Sequence, residues 1–150
     1  MQLSLSEHNF KNVYGYKNKI PECVCLLKRQ TLNTNRAICV VQLSETPEDL
    51  GSYIDDLKTR VAFKVGFIPL LWGLGLQVVI ICPNITAENF HPENYVARVD
   101  NQWAIVQSVF FVDPDTRSFK EGRTWGQVVT GKFQDSISNE LKESYEQIST

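Results

Sequence analysis

Two pairs of side chains in this sequence have the types and spacing that enzymes use in catalysis. Asp113 and Asp115 follow a strongly apolar run, and carboxylates at a strand end are hard oxygen ligands that suit Mg²⁺. Cys82 ends another apolar run nine residues before His91, and a Cys–His pair permits nucleophilic catalysis once the thiol is activated. Either pair would indicate a hydrolytic enzyme, metal-dependent in the first case.

A structural interpretation of the same residues requires no additional partner, and we favour it. Asp-Pro-Asp-Thr, which starts at Asp113, is a common turn sequence in which the first aspartate accepts hydrogen bonds from the backbone. Cysteine is often a buried apolar residue, and His91 stands in the loop-like sequence Asn-Phe-His-Pro. We therefore predict that Asp113 stabilises a turn, and we assign no catalytic residue, no metal ligand and no cofactor.

Five residues are still weak candidates for ligand binding, because they lie at or just beyond the ends of predicted strands and helices. Gly-Arg-Thr-Trp-Gly, at 122–126, predicts the start of a helix whose N–H groups, together with Arg123, could receive an anion. Cys82 and Asp113 stand where two predicted apolar strands end, and Asn84 and His91 lie in the connection after the first of these strands. The five candidates are Cys82, Asn84, His91, Asp113 and Arg123.

The elements that would position these residues are centred on the nearly uncharged run 65–82. Its length would permit a membrane span, but Pro69 and three glycines disfavour a helix through it. Residues 76–82 are rich in β-branched side chains and apolar on both faces, which is typical of a strand covered on both sides. We predict the end of a helix, a turn and a central strand, all buried in a water-soluble domain.

Turn and capping signals predict the remaining elements. Turn formers between 22–30 and 36–43 indicate a hairpin, and Thr-Pro-Glu-Asp indicates a helix capped by Thr46. A second hairpin is predicted from 95–99 and 102–112. The order β-β-α-β-β-β-α, with two main helices, therefore predicts a single α+β domain of 150 residues. Its sheet is expected to be mixed, largely antiparallel and about five-stranded.

The C-terminal segment repeats apolar residues at every fourth position from Trp125 to Tyr145, which predicts a surface helix with a narrow apolar stripe. We expect residues 125–141 to pack on the sheet of their own chain, and the end from Tyr145 to be free for a partner. Such a stripe can also pair with its copy in a second chain, so a homodimer is an open alternative.

Charge and cysteine usage limit the class of protein. Fifteen basic and seventeen acidic residues provide no basic footprint for nucleic acid, and the N-terminus lacks the features of a signal peptide. We therefore expect a cytoplasmic location and four reduced thiols. The predicted hairpin turn near Thr34 places Cys39 opposite residues 27–30, away from Cys23 and Cys25, which agrees with free thiols.

Together these observations favour a soluble cytoplasmic binding or regulatory module without catalytic chemistry. Its expected partner is a protein or a small ligand near the end of the 76–82 strand, and neither nucleic acid nor membrane is expected. The alternative is a hydrolytic enzyme that uses Asp113 and Asp115 with Mg²⁺, or Cys82 with His91.

Overall fold

A computed structural model describes residues 9–30, 34–66, 73–87, 89–96, 104–123, 135–140 and 142–143. Six strands form one sheet in it, and a long helix, a short 3-10 helix (Pro92–Tyr95) and a second α-helix accompany the sheet. The strands are β1 (Lys11–Asn12), β2 (Cys23–Gln30), β3 (Thr34–Gln42), β4 (Gly73–Ile81), β5 (Ala104–Asp113) and β6 (Ser118–Arg123). The α-helices are α1 (Leu50–Val65) and α2, which covers 135–140 and 142–143.

The six strands lie side by side in chain order. The pairs β1–β2, β2–β3 and β5–β6 are antiparallel, whereas β4 runs parallel to both β3 and β5. Parallel neighbours need a crossover connection, and α1 lies in the one between β3 and β4. The predicted α+β class with a mixed sheet and two helices is confirmed, with six strands instead of about five.

The apolar run at the centre of the sequence forms the end of α1 and then β4. Gly66 closes α1 in a left-handed conformation with φ 77°, where a residue without Cβ is favoured. Residues 74–81 of β4 are all buried, so the predicted central strand is confirmed, although it begins three residues earlier than expected. Pro69 lies outside the described residues. No helix within the described ranges has the length and apolarity that crossing a bilayer requires.

Helix α1 begins at Leu50 and not beside Thr46, so the predicted cap is wrong. Asp49 is the N-cap: its carboxylate accepts hydrogen bonds from the backbone N of Ser52 at 2.9 Å and from the Ser52 hydroxyl at 2.7 Å. An aspartate that accepts two bonds from the first turn satisfies the exposed helix end and sets its start. Thr46 instead contacts Cys82 at the end of β4.

The first predicted hairpin is confirmed as β2 and β3, but the second is wrong where the structure describes it. Tyr95 lies in the 3-10 helix and Val96 is not in a strand, while residues 97–103 lie outside the described ranges. β5 pairs instead with β4 and with β6. The helix start predicted at Gly122 is wrong as well, because Gly122 and Arg123 belong to β6.

Two apolar clusters cover the two faces of the sheet. The larger cluster lies between the sheet and α1, and it includes Leu57, Val61 and Phe111. The smaller cluster lies on the opposite face and includes Phe110 and Ile137 of α2, which is fully buried. Ile137 thus packs on the sheet of its own chain. The other residues of the predicted C-terminal stripe, which carried the expectation of a dimer, lie outside the described residues.

The backbone of the 3-10 helix packs directly against β6 at Gly122. A Cβ atom added to Gly122 would stand 2.5 Å from the backbone N of Glu93 and from the backbone C of Pro92. Real Cβ atoms do not approach backbone so closely, so only glycine fits at this crossing. Because residues 92–95 also contact β5, Gly122 fixes the position of the connection between β4 and β5.

We expect Gly122→Ala to lower the free energy of unfolding by about 1–3 kcal/mol, because the added methyl group must push two backbone segments apart. Gly51→Ala is the matched control: its Cβ would make ordinary contacts at 3.4 Å and 3.9 Å, and alanine favours a helix. Urea unfolding followed by circular dichroism measures both variants. Equal stability of Gly122→Ala and the parent protein would contradict the close approach.

Candidate functional site

The carboxyl ends of β4 and β5 meet at one edge of the sheet, because the two strands are parallel. Ile81 is in register with Val112, and the backbone N of Cys82 donates a hydrogen bond to the Val112 carbonyl at 3.0 Å. This register places Asp113 beside the loop that follows β4. Three of the five candidates, Cys82, Asn84 and Asp113, therefore come together here.

Asp113 holds this edge together as an acceptor of hydrogen bonds. Its Oδ1 accepts from the backbone N of Asp115 at 2.9 Å and of Thr116 at 3.3 Å. Its Oδ2 accepts from the backbone N of Asn84 at 3.1 Å and from the Thr86 hydroxyl at 3.5 Å. The side chain is 1% exposed and joins the turn after β5 to the loop after β4. The turn predicted from Asp-Pro-Asp-Thr is confirmed.

The electrostatics of Asp113 agree with this structural role. Burial raises the pKa of its carboxyl group, but the hydrogen bonds from Asp115, Thr116 and Asn84 outweigh burial and leave the pKa below its ordinary value. The group is therefore a carboxylate at neutral pH, and each of its oxygens already accepts two bonds. Within the described ranges, no group of three or more His, Cys, Asp or Glu side chains could hold a metal ion.

Cys82 and His91, the second pair with catalytic residue types, lie in different environments, because Cys82 is buried and His91 is exposed. Cys82 is fully buried, with its Sγ 3.5 Å from the Thr46 hydroxyl and 3.6 Å from the Pro83 carbonyl oxygen. Burial raises the pKa of this thiol, against a smaller opposite effect of Thr46, so the nucleophilic thiolate is disfavoured. His91 is exposed and directly precedes the 3-10 helix.

Arg123 lies at the far end of β6 from the Asp113 edge. Register pairs Arg123 with Ser108, whereas Asp113 pairs with Ser118. The guanidinium group binds Glu121 at 3.1 Å and Asp135 of α2 at 2.7 Å. Arg123 therefore joins α2 to the sheet, and it does not stand at the start of a helix as the sequence analysis expected.

A groove that the sequence analysis did not identify runs between α1 and the start of β5. Its volume is about 680 Å³. The apolar floor includes Ile54 and Val106, and Ile105 beside them is 39% exposed. The ring of Tyr95 forms part of the wall and packs on Phe111 with ring centroids 5.7 Å apart. The local signal of this site in the sequence is the acidic pair Glu48 and Asp49 directly before α1, of which Asp49 also caps the helix.

Acidic side chains dominate the rim of the groove. Among the described residues that line it, Glu48, Asp49 and Asp55 are acidic and one, Lys58, is basic. Lys58 is held by Asp55, with Nζ 3.0 Å from Oδ1, and its side chain is only 11% exposed. Asp49 caps α1, whereas Glu48 makes no hydrogen bond or ion pair with any described residue. The rim therefore presents a negative field to the solvent.

Comparison of this chain with protein-family models, with curated proteins and with solved structures finds no match. Function must therefore be argued from the site itself, since a fold alone does not determine function.

We expect Asp113→Ala to lower the free energy of unfolding by about 2–3 kcal/mol, because backbone N–H donors in two loops lose their acceptor. The folded state depresses the Asp113 pKa, so this stabilisation is present above the unfolded pKa and is lost as the pH falls through the folded pKa. Urea unfolding between neutral and acidic pH should show the variant and the parent protein converging in acid.

Asp115→Ala is the matched control for Asp113→Ala. Its side chain is exposed and forms no hydrogen bond or ion pair with another described residue, so we expect a change within about 0.5 kcal/mol. If the two variants were equally stable at neutral pH, the structural role of Asp113 would be wrong.

Proposed function

We propose that this protein is a single-domain, cytoplasmic binding module without catalytic chemistry, and that it receives a small ligand in the groove between α1 and β5. The observation that supports the proposal is an open groove of about 680 Å³ with an apolar floor and a polar rim. Small-molecule sites commonly have volumes of about 300–1,000 Å³. A volume of this size suits a small molecule better than the broad surface of a protein partner.

The charge of the rim selects the class of ligand. Among the described residues of the rim, three carboxylates face one ammonium group, and that ammonium group is already paired with Asp55. An anion would meet net repulsion at this rim, whereas an amine would find Glu48 without a partner among the described residues. The apolar side chains of Ile105 and Val106 suit an apolar body attached to that amine. We therefore assign the groove to small organic amines.

The alternative of a hydrolytic enzyme receives less support from the same contacts. The Asp113 carboxylate is occupied by backbone donors, and burial disfavours the Cys82 thiolate. The edge formed by Cys82, Asn84 and Asp113 is better explained as a structural connection. The ligand site proposed here lies instead on the side of the sheet that α1 covers.

Three probes of one shape test the proposal: benzylamine, benzyl alcohol and benzoate. We expect benzylamine to shift the backbone amide signals of Glu48, Gly51 and Ile105 in two-dimensional NMR spectra of the full chain. Benzyl alcohol should shift them less, and benzoate should leave them unchanged, because the three probes share a benzene ring and carry a positive, a neutral and a negative group. Stronger binding of benzoate, or shifts confined to another surface, would contradict the assignment.

Glu48→Gln tests the rim directly. We expect it to weaken benzylamine binding about two- to five-fold, as the loss of one solvent-screened charge interaction of about 0.5–1 kcal/mol implies. Glu143→Gln removes the same charge from an exposed position on α2, outside the groove, and should leave the affinity unchanged. Equal affinities of the two variants would argue against the groove.

A further inference from the structure

Two of the four thiols in this chain are in contact, contrary to the expectation from the hairpin register. The Sγ atoms of Cys23 on β2 and Cys39 on β3 lie 3.7 Å apart, and both residues are buried, at 1% and 0% exposure. The other two cysteines lie elsewhere. Cys25 belongs to the cluster on the opposite face of the sheet, and Cys82 contacts Thr46 at the end of β4.

An irregularity in the strand ladder produces this contact. Cys39 is in register with Leu26, and Cys23 is in register with Val41, two residues beyond Cys39. The register shifts between Cys23 and Cys25, which turns Cys23 to the face covered by α1, where Cys39 also points. The predicted pairing of Cys39 with residues 27–30 is therefore wrong: the ladder pairs Cys39 with Leu26, and the irregular position brings Cys23 to the same face.

The two thiols have different roles within the pair. The hydrogen bond shared with Cys39 lowers the pKa of Cys23, against the effect of burial, and the backbone of Cys25 and nearby Lys17 act in the same direction. The same hydrogen bond, together with burial, raises the pKa of Cys39. Cys23 is therefore the better nucleophile, and Cys39 keeps its proton.

We propose that Cys23 and Cys39 form a reversible disulfide couple that reacts with peroxides. The Cys23 sulfur attacks the O–O bond of hydrogen peroxide, becomes a sulfenic acid, and releases the other oxygen as water. The Cys39 sulfur then attacks the Cys23 sulfur, and the expelled hydroxide takes the Cys39 proton to form a second water. Two thiols lose two electrons in total, and the two peroxide oxygens gain them.

The two sulfur atoms are close enough to bond after a local shift of the backbone, and the strain of that shift makes the disulfide easy to reduce. The Sγ atoms must move from 3.7 Å to about 2.05 Å. Diagonal neighbours on antiparallel strands have Cα atoms about 7–8 Å apart, slightly beyond the usual disulfide range, so the strands must be drawn together. A strained disulfide is labile to reducing thiols. Cys23 is the first residue of β2, where local opening of a strand end can admit a peroxide.

The couple lies beside the contact that holds α1 to β2. Glu22, the neighbour of Cys23, binds Arg60 of α1 at 2.7 Å and accepts a hydrogen bond from the Tyr53 hydroxyl at 3.1 Å. A shift of the Cys23 backbone toward Cys39 therefore acts on the attachment of the helix. Formation of this disulfide does not depend on whether the groove binds a ligand.

Thiol titration of the full chain tests the proposal. Reduced protein should show four thiols in denaturant. After a small molar excess of hydrogen peroxide, we expect two thiols, an intact mass lower by two hydrogen atoms, and a peptide that links Cys23 to Cys39. Dithiothreitol should restore all four. Retention of four thiols, or a link that involves Cys25 or Cys82, would overturn the proposal.

Variants assign the roles within the pair. Cys39→Ser should leave Cys23 as a sulfenic acid that dimedone traps, whereas Cys23→Ser should lose this reaction. Cys82→Ser is the matched control and should still lose two thiols to peroxide. If Cys39→Ser formed an intramolecular disulfide as readily as the parent protein, the couple would be wrong. The peptide map of the parent protein decides the question even if a variant fails to fold.

Discussion

The fold depends on one constraint, the burial of β4 between two parallel neighbours and under two apolar clusters. Strand β4 pairs with β3 along its whole length and with β5 from Leu74 to Ile81. Residues 74–81 expose neither face, so both faces must be covered by other parts of the chain. Parallel pairing also forces the chain to cross over the sheet twice, and α1 lies in the first of these crossovers.

The sites follow from these crossovers. Because β4 and β5 end at the same edge, the loop after one lies next to the turn after the other, and the Asp113 carboxylate joins them. The second connection passes over β6 so closely that only Gly122 fits beneath it. The connection between β4 and β5 is thus held by the Asp113 carboxylate near its start and by the close packing against Gly122 at Pro92 and Glu93.

Helix α1 connects the proposed groove with the proposed thiol couple. One flank of the helix is held by the ion pair between Arg60 and Glu22, which directly precedes Cys23 and β2. The other flank forms the groove, where Lys58 and Asp55 make a second ion pair. The two proposals remain independent, since each rests on its own contacts.

The sequence by itself determined the elements whose causes are local. The β-branched run of β4, the turn after Asp113 and the end of α1 at Gly66 all follow from propensity and turn chemistry in neighbouring residues. The hairpin of β2 and β3 was predicted for the same reason. Candidates at strand ends could also be located, because Cys82 and Asp113 stand next to runs that are recognisable in the sequence.

Only the tertiary structure decided how those elements pair and what lies between them. The polar strand β6 has no strong local signal and is defined by its register with β5, which is why a second hairpin was misplaced. The groove is formed by residues of α1 and β5 that are some fifty positions apart, such as Ile54 and Val106. The contact of Cys23 with Cys39 depends on one irregular position in a ladder, and a single-residue shift of register changes the face to which a side chain points.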